Sequence, residues 1–309
     1  MSDHSQQTAR AQWRTSRRNL TIGRRPLVMG ILNVTPDSFS DGGRFVHASA
    51  APSEQEIHAA VTAGRRMIAE GADIVDIGGE STRPYSEPVD TATEIGRVVP
   101  VIAALVAAEP RAVISIDTSK AAVAREAIEA GAEIVNDVTG LQGDPAMPAL
   151  TRDRGVGVCV MHMRGTPQTM QDDPRYEDVV RDIERYLIER REACLQFGLA
   201  PEAICLDPGI GFGKTHEHNL ELLRATARLA GLGSPILIGH SRKGFIKHQL
   251  RPLVERSGQS FDPLAGTLGV SLAVAAAGAH VVRVHDVRET VQALAMFEAA
   301  GGIPNSLWT

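Results

Sequence analysis

The chain has 309 residues, 43% of them hydrophobic, which suits one large domain or two small ones, and α/β barrels reach this size as a single domain. A net charge of −5 and a pI near 6.1 give no bulk attraction to nucleic acid or to an anionic membrane. No apolar run reaches the ~18 residues of a membrane span, and three cysteines without metal-ligand spacing (Cys159, Cys194, Cys205) suit a reducing cytoplasm.

Residues 1–25 carry Arg10, Arg14, Arg17, Arg18, Arg24 and Arg25 against a single acid, Asp3. Such a start reads as a transit peptide or as a basic, flexible tail. The poor apolar spacing favours the tail, with the folded domain over 26–309. From there the chain alternates. Eight short apolar runs, at 27–32, 73–77, 112–117, 132–136, 156–161, 203–207, 235–239 and 280–284, read as strands. Helical patterns lie between them at 54–70, 91–108, 119–130, 176–197, 219–229 and 264–278. Ser53 followed by Glu56 spells a capping box for the first helix. Alternation of this kind demands a parallel sheet. Eight rounds favour a single closed (β/α)8 TIM barrel over an open doubly wound sheet.

A barrel places its chemistry at the carboxyl ends of its strands. Those ends carry Asn33, "GGESTRP" (78–84), Asp117, Asn136, "MHMRG" (161–165), "DPGIGFGK" (207–214), "GHSRKGF" (239–245) and Arg283 to Asp286. Two apparent motifs dissolve on inspection. "PGIGFGKT" (208–215) lacks the first glycine of a P-loop, since Pro208 stands there. As a dinucleotide fingerprint, its third glycine is misplaced and no acid lies near residues 230–235 to take a ribose. Lys214 then reads as a solvated residue at a helix start, and "HEH" (216–218) as a helix opening in solvent. Asp117 and Asp207, by contrast, end apolar strands. A carboxylate there needs a partner, and a flat heterocycle offering a ring N–H beside an amino group supplies two donors. Asn136 and Lys243 add an amide and a cation. Arg83, Arg283 and His285, with Ser81 and Thr82, suit phosphate instead. Arg283 and His285 alternate in "VRVH" and so share a side. Asn33 and phosphate oxygens can share a Mg²⁺. One part of the mouth therefore suits a planar donor-rich ring, the other a polyphosphate.

These segments, "GILNVTPDSFSDGG", "GADIVDIGGESTRP", "SIDTSK", "NDVTG", "VMHMRGTPQTMQ", "LDPGIGFGK", "GHSRKGF" and "VRVHDV", resemble dihydropteroate synthase, in order, over about residues 26–300. The resemblance implies a homodimeric barrel of folate synthesis. Such an enzyme joins 6-hydroxymethyl-7,8-dihydropterin pyrophosphate to 4-aminobenzoate, releasing pyrophosphate with the help of Mg²⁺. It implies that Asp117, Asn136, Met161, Asp207, Phe212, Gly239 and Lys243 hold the pterin. Asn33, Thr82, Arg83, Arg283 and His285 would hold pyrophosphate, with Asn33 also on the metal. Phe39, Pro84, Ser241 and Lys243 would frame aminobenzoate, where sulfonamides should compete.

The segment 34–43, with Gly42 and Gly43 as bending points and Asp37 and Phe39 as contacts, reads as a lid that orders when substrate binds. Two rival readings stay open: a non-catalytic pterin-binding homologue, and a pterin-dependent methyltransferase. The second leaves "NVTPDSFSDGG" and "SRKGF" without a purpose.

Overall fold

The structure, a computed structural model, describes residues 11–35, 52–258 and 260–304. Two short strands, β1 (Gln12–Arg14) and β2 (Asn19–Thr21), precede eight others: β3 (Leu27–Asn33), β4 (Ile74–Gly78), β5 (Ile114–Asp117), β6 (Ile134–Asp137), β7 (Gly157–Met161), β8 (Ile204–Asp207), β9 (Leu237–Gly239) and β10 (Val281–Val284). Between and after them run α1 (Glu54–Ala69), α2 (Thr91–Ala108), α3 (Ala121–Ala130), α4 (Met147–Arg154), α5 (Val179–Gln196), α6 (His216–Arg224), α7 (Thr226–Ala230), α8 (Gly244–Ser257), α9 (Pro263–Ala276) and α10 (Val287–Ala299).

Strands β3 to β10 form one eight-stranded sheet in the order β8-β7-β6-β5-β4-β3-β10-β9, every pairing parallel. A bridge between Leu206 and Ile236 joins the two outer strands and closes the barrel. Both faces of each strand are covered, by helices outside and by side chains inside, which is why the sequence shows uninterrupted apolar runs. The eight strands lie within two residues of their predicted limits. Helix α1 opens on the expected box: Ser53 N donates to Glu56 Oε2 at 2.7 Å and Glu56 N donates to Ser53 Oγ at 3.3 Å. Helices α4, α8 and α10 went unread. The first is only eight residues long, and only Phe245 and Ile246 of the second are buried. Helix α2 is long and apolar enough to cross a membrane, with mean hydropathy 1.5 over 18 residues, which amends the reading of apolar runs. It instead buries Val98, Val101, Ile102 and Leu105 in the core and packs on α1, α3 and β4.

The N-terminal segment departs from expectation. Residues 11–25 are no free tail. Strands β1 and β2 pair antiparallel as a hairpin, and Trp13 is 0% exposed. Its indole Nε1 donates to Ala203 O at 3.1 Å. Trp13 and Ile22 share a buried cluster with Met29, Ile74, Val113, Ile134, Cys159, Cys205, Leu237 and Val281, one residue from the start of each barrel strand or just before it. The hairpin is thus the stopper of the barrel's amino end. Glu133, fully buried, fastens it: Thr15 Oγ1 donates to Glu133 Oε2 at 2.7 Å and Arg18 Nη2 to Oε1 at 2.7 Å. Strands of three residues carry too little period to be read, and the partner that Trp13 needs is made by the whole barrel. All three cysteines are free and buried.

Inner-facing residues recur every second position along a strand. Two residues beyond the stoppered ring, the same inner face carries Ile31, Asp76, Ser115, Asn136, Met161, Asp207, Gly239 and Arg283. Two further on come Asn33, Gly78, Asp117, Ser241 and His285. The interior therefore changes from apolar to charged within one step.

Candidate active site

Asp76 sits at the centre of the charged ring. It is 0% exposed, and its Oδ2 accepts from Arg283 Nε at 2.6 Å and from Asn136 Nδ2 at 3.0 Å. Its other oxygen, Oδ1, is buried without a partner. Arg283 Nη2 donates to Asp117 Oδ2 at 2.6 Å. The guanidinium thus bridges two strand-borne carboxylates. Burial raises the Asp117 carboxyl to about 7, with Arg283 opposing, and the two acids hold Arg283 well above its ordinary value. Asp207 takes Gly209 N at 2.7 Å on Oδ1; burial raises it too, and Lys243 opposes. Burial lowers Lys243 to about 8. Its Nζ donates to Ile210 O and lies 4.5 Å from the centroid of the Phe212 ring.

Asp137, the next residue after Asn136, faces away from this ring. It accepts from Thr139 N at 2.7 Å and Leu141 N at 3.1 Å, so it anchors the β6–α4 loop. His285 Nδ1 lies 3.0 Å from Ser241 Oγ, which puts a residue expected at pyrophosphate in contact with one expected at aminobenzoate. Burial lowers His285 to about 4, so its ring is neutral at pH 7. On the rim, Thr82, Arg83 and Pro84 belong to the loop after β4, with Arg83 and Pro84 exposed. That loop is braced from behind. Lys120 Nζ donates to Glu80 Oε2 at 2.6 Å and to the buried Glu94 at 2.5 Å, and Val89 N donates to Glu80 Oε1 at 2.9 Å. It also reaches the loop after β7, where Gln168 Nε2 donates to Ser86 O at 2.9 Å.

Asn33 ends β3, half-buried, in register with Gly78. Asp37, Phe39, Gly42 and Gly43, and with them most of the expected lid, lie outside the described residues. Among the described residues no group of three His, Cys, Asp or Glu side chains is placed to hold a metal.

The glycine turn after β8 also differs from its reading. Lys214 is not solvated: it is 2% exposed. Its Nζ lies 3.0 Å from His162 Nδ1 and donates to Phe212 O at 2.9 Å. The glycines serve close approach. A Cβ on Gly209 would stand 1.9 Å from His162 O, and one on Gly213 would stand 2.6 Å from Arg164 O.

Residues 29–285 match the family of pterin binding enzymes. The chain is 44% identical over 274 residues to the dihydropteroate synthase of Escherichia coli (strain K12), covering 89% of this chain and 91% of that one. This chain belongs to the dihydropteroate synthase family. Among solved members, the Xanthomonas albilineans dihydropteroate synthase with 4-aminobenzoic acid superposes with a TM-score of 0.81 at 41% identity, over 96% of this chain and 100% of that one. The same enzyme in complex with 7,8-dihydropteroate gives a TM-score of 0.78 at 39% identity, over 95% and 100%. A dihydropteroate synthase is a transferase, and so is this chain. Three features of this dihydropteroate synthase fold escaped the sequence reading: Asp76, the Lys120–Glu80–Glu94 brace and the Lys214–His162 contact. Only Asp76 had a findable signal, since it lies one two-residue step before Gly78 on an inner face.

Proposed function

We propose that this barrel joins 6-hydroxymethyl-7,8-dihydropterin pyrophosphate to 4-aminobenzoate, giving 7,8-dihydropteroate and pyrophosphate, with the ring in the charged interior and the anion at the mouth. One observation carries the placement. Asp76, Asn136, Asp207 and Arg283 occupy a ring of the interior that a purely structural barrel fills with apolar side chains. Asp207 keeps lone pairs for a ring N–H and amino group, and Asn136 and Lys243 face complementary ring atoms. Met161, Phe212 and Gly239 give the apolar walls. Asp117 lies where positive charge develops as the C–O bond to pyrophosphate breaks and its electron pair leaves with the anion. Arg283, His285, Thr82 and Arg83 receive that anion. The neutral amine of aminobenzoate then forms the C–N bond and releases its extra proton to water, so no strong base is needed. Ser241, Lys243 and Pro84, with Phe39, frame the aminobenzoate. Catalysis is mostly positioning and electrostatics.

The donor set fits magnesium. Asn33 offers one hard amide oxygen, and Mg²⁺ prefers one or two protein oxygens, phosphate and several waters over an all-protein cage. When bound, Mg²⁺ neutralises charge on the leaving pyrophosphate. Asn33 would orient that pair against Arg283 and His285. Pyrophosphate titrations with and without Mg²⁺ test this: Asn33→Ala should erase most of the magnesium dependence.

We also propose a homodimer in the cytoplasm. Helix α9, "PLAGTLGVSLAVAA", is apolar almost throughout yet leaves Ala265, Gly269 and Ala273 exposed on one side, and the free cysteines suit a reducing compartment. Light scattering tests the dimer. The reaction is tested by pyrophosphate release that depends on 4-aminobenzoate; a methyltransferase or a non-catalytic pterin binder gives none.

A further inference from the structure

Lys214 lies at the end of the glycine turn, in the boundary between the loops after β7 and β8. Among the described residues no carboxylate forms an ion pair with it, and burial depresses its amine far below the ordinary value, with the more distant Asp207 opposing. A buried amine without an ion pair must be satisfied by hydrogen bonds. Its three contacts, His162 Nδ1 at 3.0 Å, Phe212 O at 2.9 Å and His162 O at 3.5 Å, provide them. Burial and the neighbouring Lys214 lower His162 to about 2, so its ring is neutral, and with its proton on Nε2 its Nδ1 accepts from the Lys214 amine. Around this link the loops close on each other. Tyr176 OH donates to Gly213 O at 2.8 Å and Gln171 Nε2 to Gly211 O at 2.8 Å.

We infer that Lys214 is a positioning residue for the ring subsite: it pins the backbone of Phe212 to His162, and so sets the spacing of the walls that Met161 and Phe212 present to the pterin. The inference rests on the ring placement proposed above. Two lysines hold the same turn from opposite sides. Lys243 Nζ, on the mouth side, donates to Ile210 O and faces the Phe212 ring. Lys214, on the buried side, holds the Phe212 carbonyl. Asp207 and Phe212 are the two ends of that turn, so loosening it moves the carboxylate partner and the stacking wall relative to each other. The pyrophosphate residues Asn33, Thr82, Arg83, Arg283 and His285 lie on or just after β3, β4 and β10 and take no part in the Lys214 hydrogen bonds.

Lys214→Met keeps the stem and removes the donors. The full-length protein is titrated with 6-hydroxymethylpterin and, separately, with inorganic pyrophosphate plus Mg²⁺. The expected result is at least tenfold weaker pterin binding, with pyrophosphate affinity within twofold of wild type and KM for the pterin substrate raised more than kcat is lowered. Unchanged pterin affinity, or equal weakening of both ligands, would overturn the inference. Should Lys214→Met not fold, His162→Leu and His162→Asn replace it. The leucine breaks the link, while the asparagine offers an acceptor near the Nδ1 position. Pterin affinity should fall in the first and recover in the second, and equal affinities in the two variants speak against the link. Wild-type protein that binds no 6-hydroxymethylpterin would instead sink the ring placement itself.

Discussion

The two ends of one barrel solve opposite problems with the same strands. At the amino end the inner face carries Met29, Ile134, Cys205 and their neighbours, sealed by Trp13 and Ile22. One two-residue step later it carries Asp76, Asn136, Asp207 and Arg283. The apolar end needs only volume and shape. The charged end needs every group answered by another, as Arg283 answers both Asp76 and Asp117. Packing alone holds the first together, while the second ties its stability to the groups proposed to recognise the ligand, and substitutions should separate the two.

Arg283→Met should do most damage, because it strips the shared partner from Asp76 and Asp117. Removing one member of a buried ionic group costs about 3–5 kcal/mol, and turnover should be lost as well. The pH sign follows from the raised carboxyls. Burial holds Asp117 up to about 7 and Asp137 up to about 6 in the folded state. Stability from such groups is full below the unfolded value of about 4 and fades as pH rises through 6 and 7. The Arg283→Met deficit should therefore shrink between pH 8 and pH 5, as read by urea unfolding at each.

Trp13→Ala should cost a similar amount at the other end, about 3–5 kcal/mol for a buried tryptophan, but leave kcat unchanged in whatever fraction stays folded. A lowered urea midpoint with lost turnover per folded molecule would show that the stopper and the site are coupled. Asp207→Asn reverses the pattern. Pterin affinity should fall by about 1.5–3 kcal/mol, the worth of a hydrogen bond to a charged group, and calorimetry with pterin checks it. Ile134→Val makes the smallest change, about 0.5–1.5 kcal/mol of stability, with KM and kcat unmoved. It sits two residues before Asn136 on one strand, so any kinetic effect would blur the boundary between the two ends.

Much of this contrast was legible from residues. Asp117, Asn136 and Asp207 end apolar runs and Arg283 stands one residue before the end of another, and polar groups at the carboxyl ends of barrel strands announce a site. Asp76 did not stand out, because "DIVDI" holds two aspartates and only register separates them. Asp73 accepts from Val28 N at 2.8 Å near the strand start, while Asp76 faces the interior. The hairpin stayed hidden because its two strands pair over three residues and gain their meaning from Ala203 and Glu133, far along the chain. Lys214 was misread for a related reason. A lysine after glycines looks solvated until a loop from another strand is laid over it.

That overlay limits how the protein can change under selection. At Gly209 and Gly213 the smallest possible substitution adds a methyl group where His162 O and Arg164 O already stand. A side chain at either glycine fits only if the neighbouring loop moves with it. A compound that rests on these two glycines meets backbone that a substitution at either one cannot reshape alone. Exposed Arg83 and Pro84, on the rim, carry no such steric constraint, so their limits are set by the ligands they would touch rather than by packing.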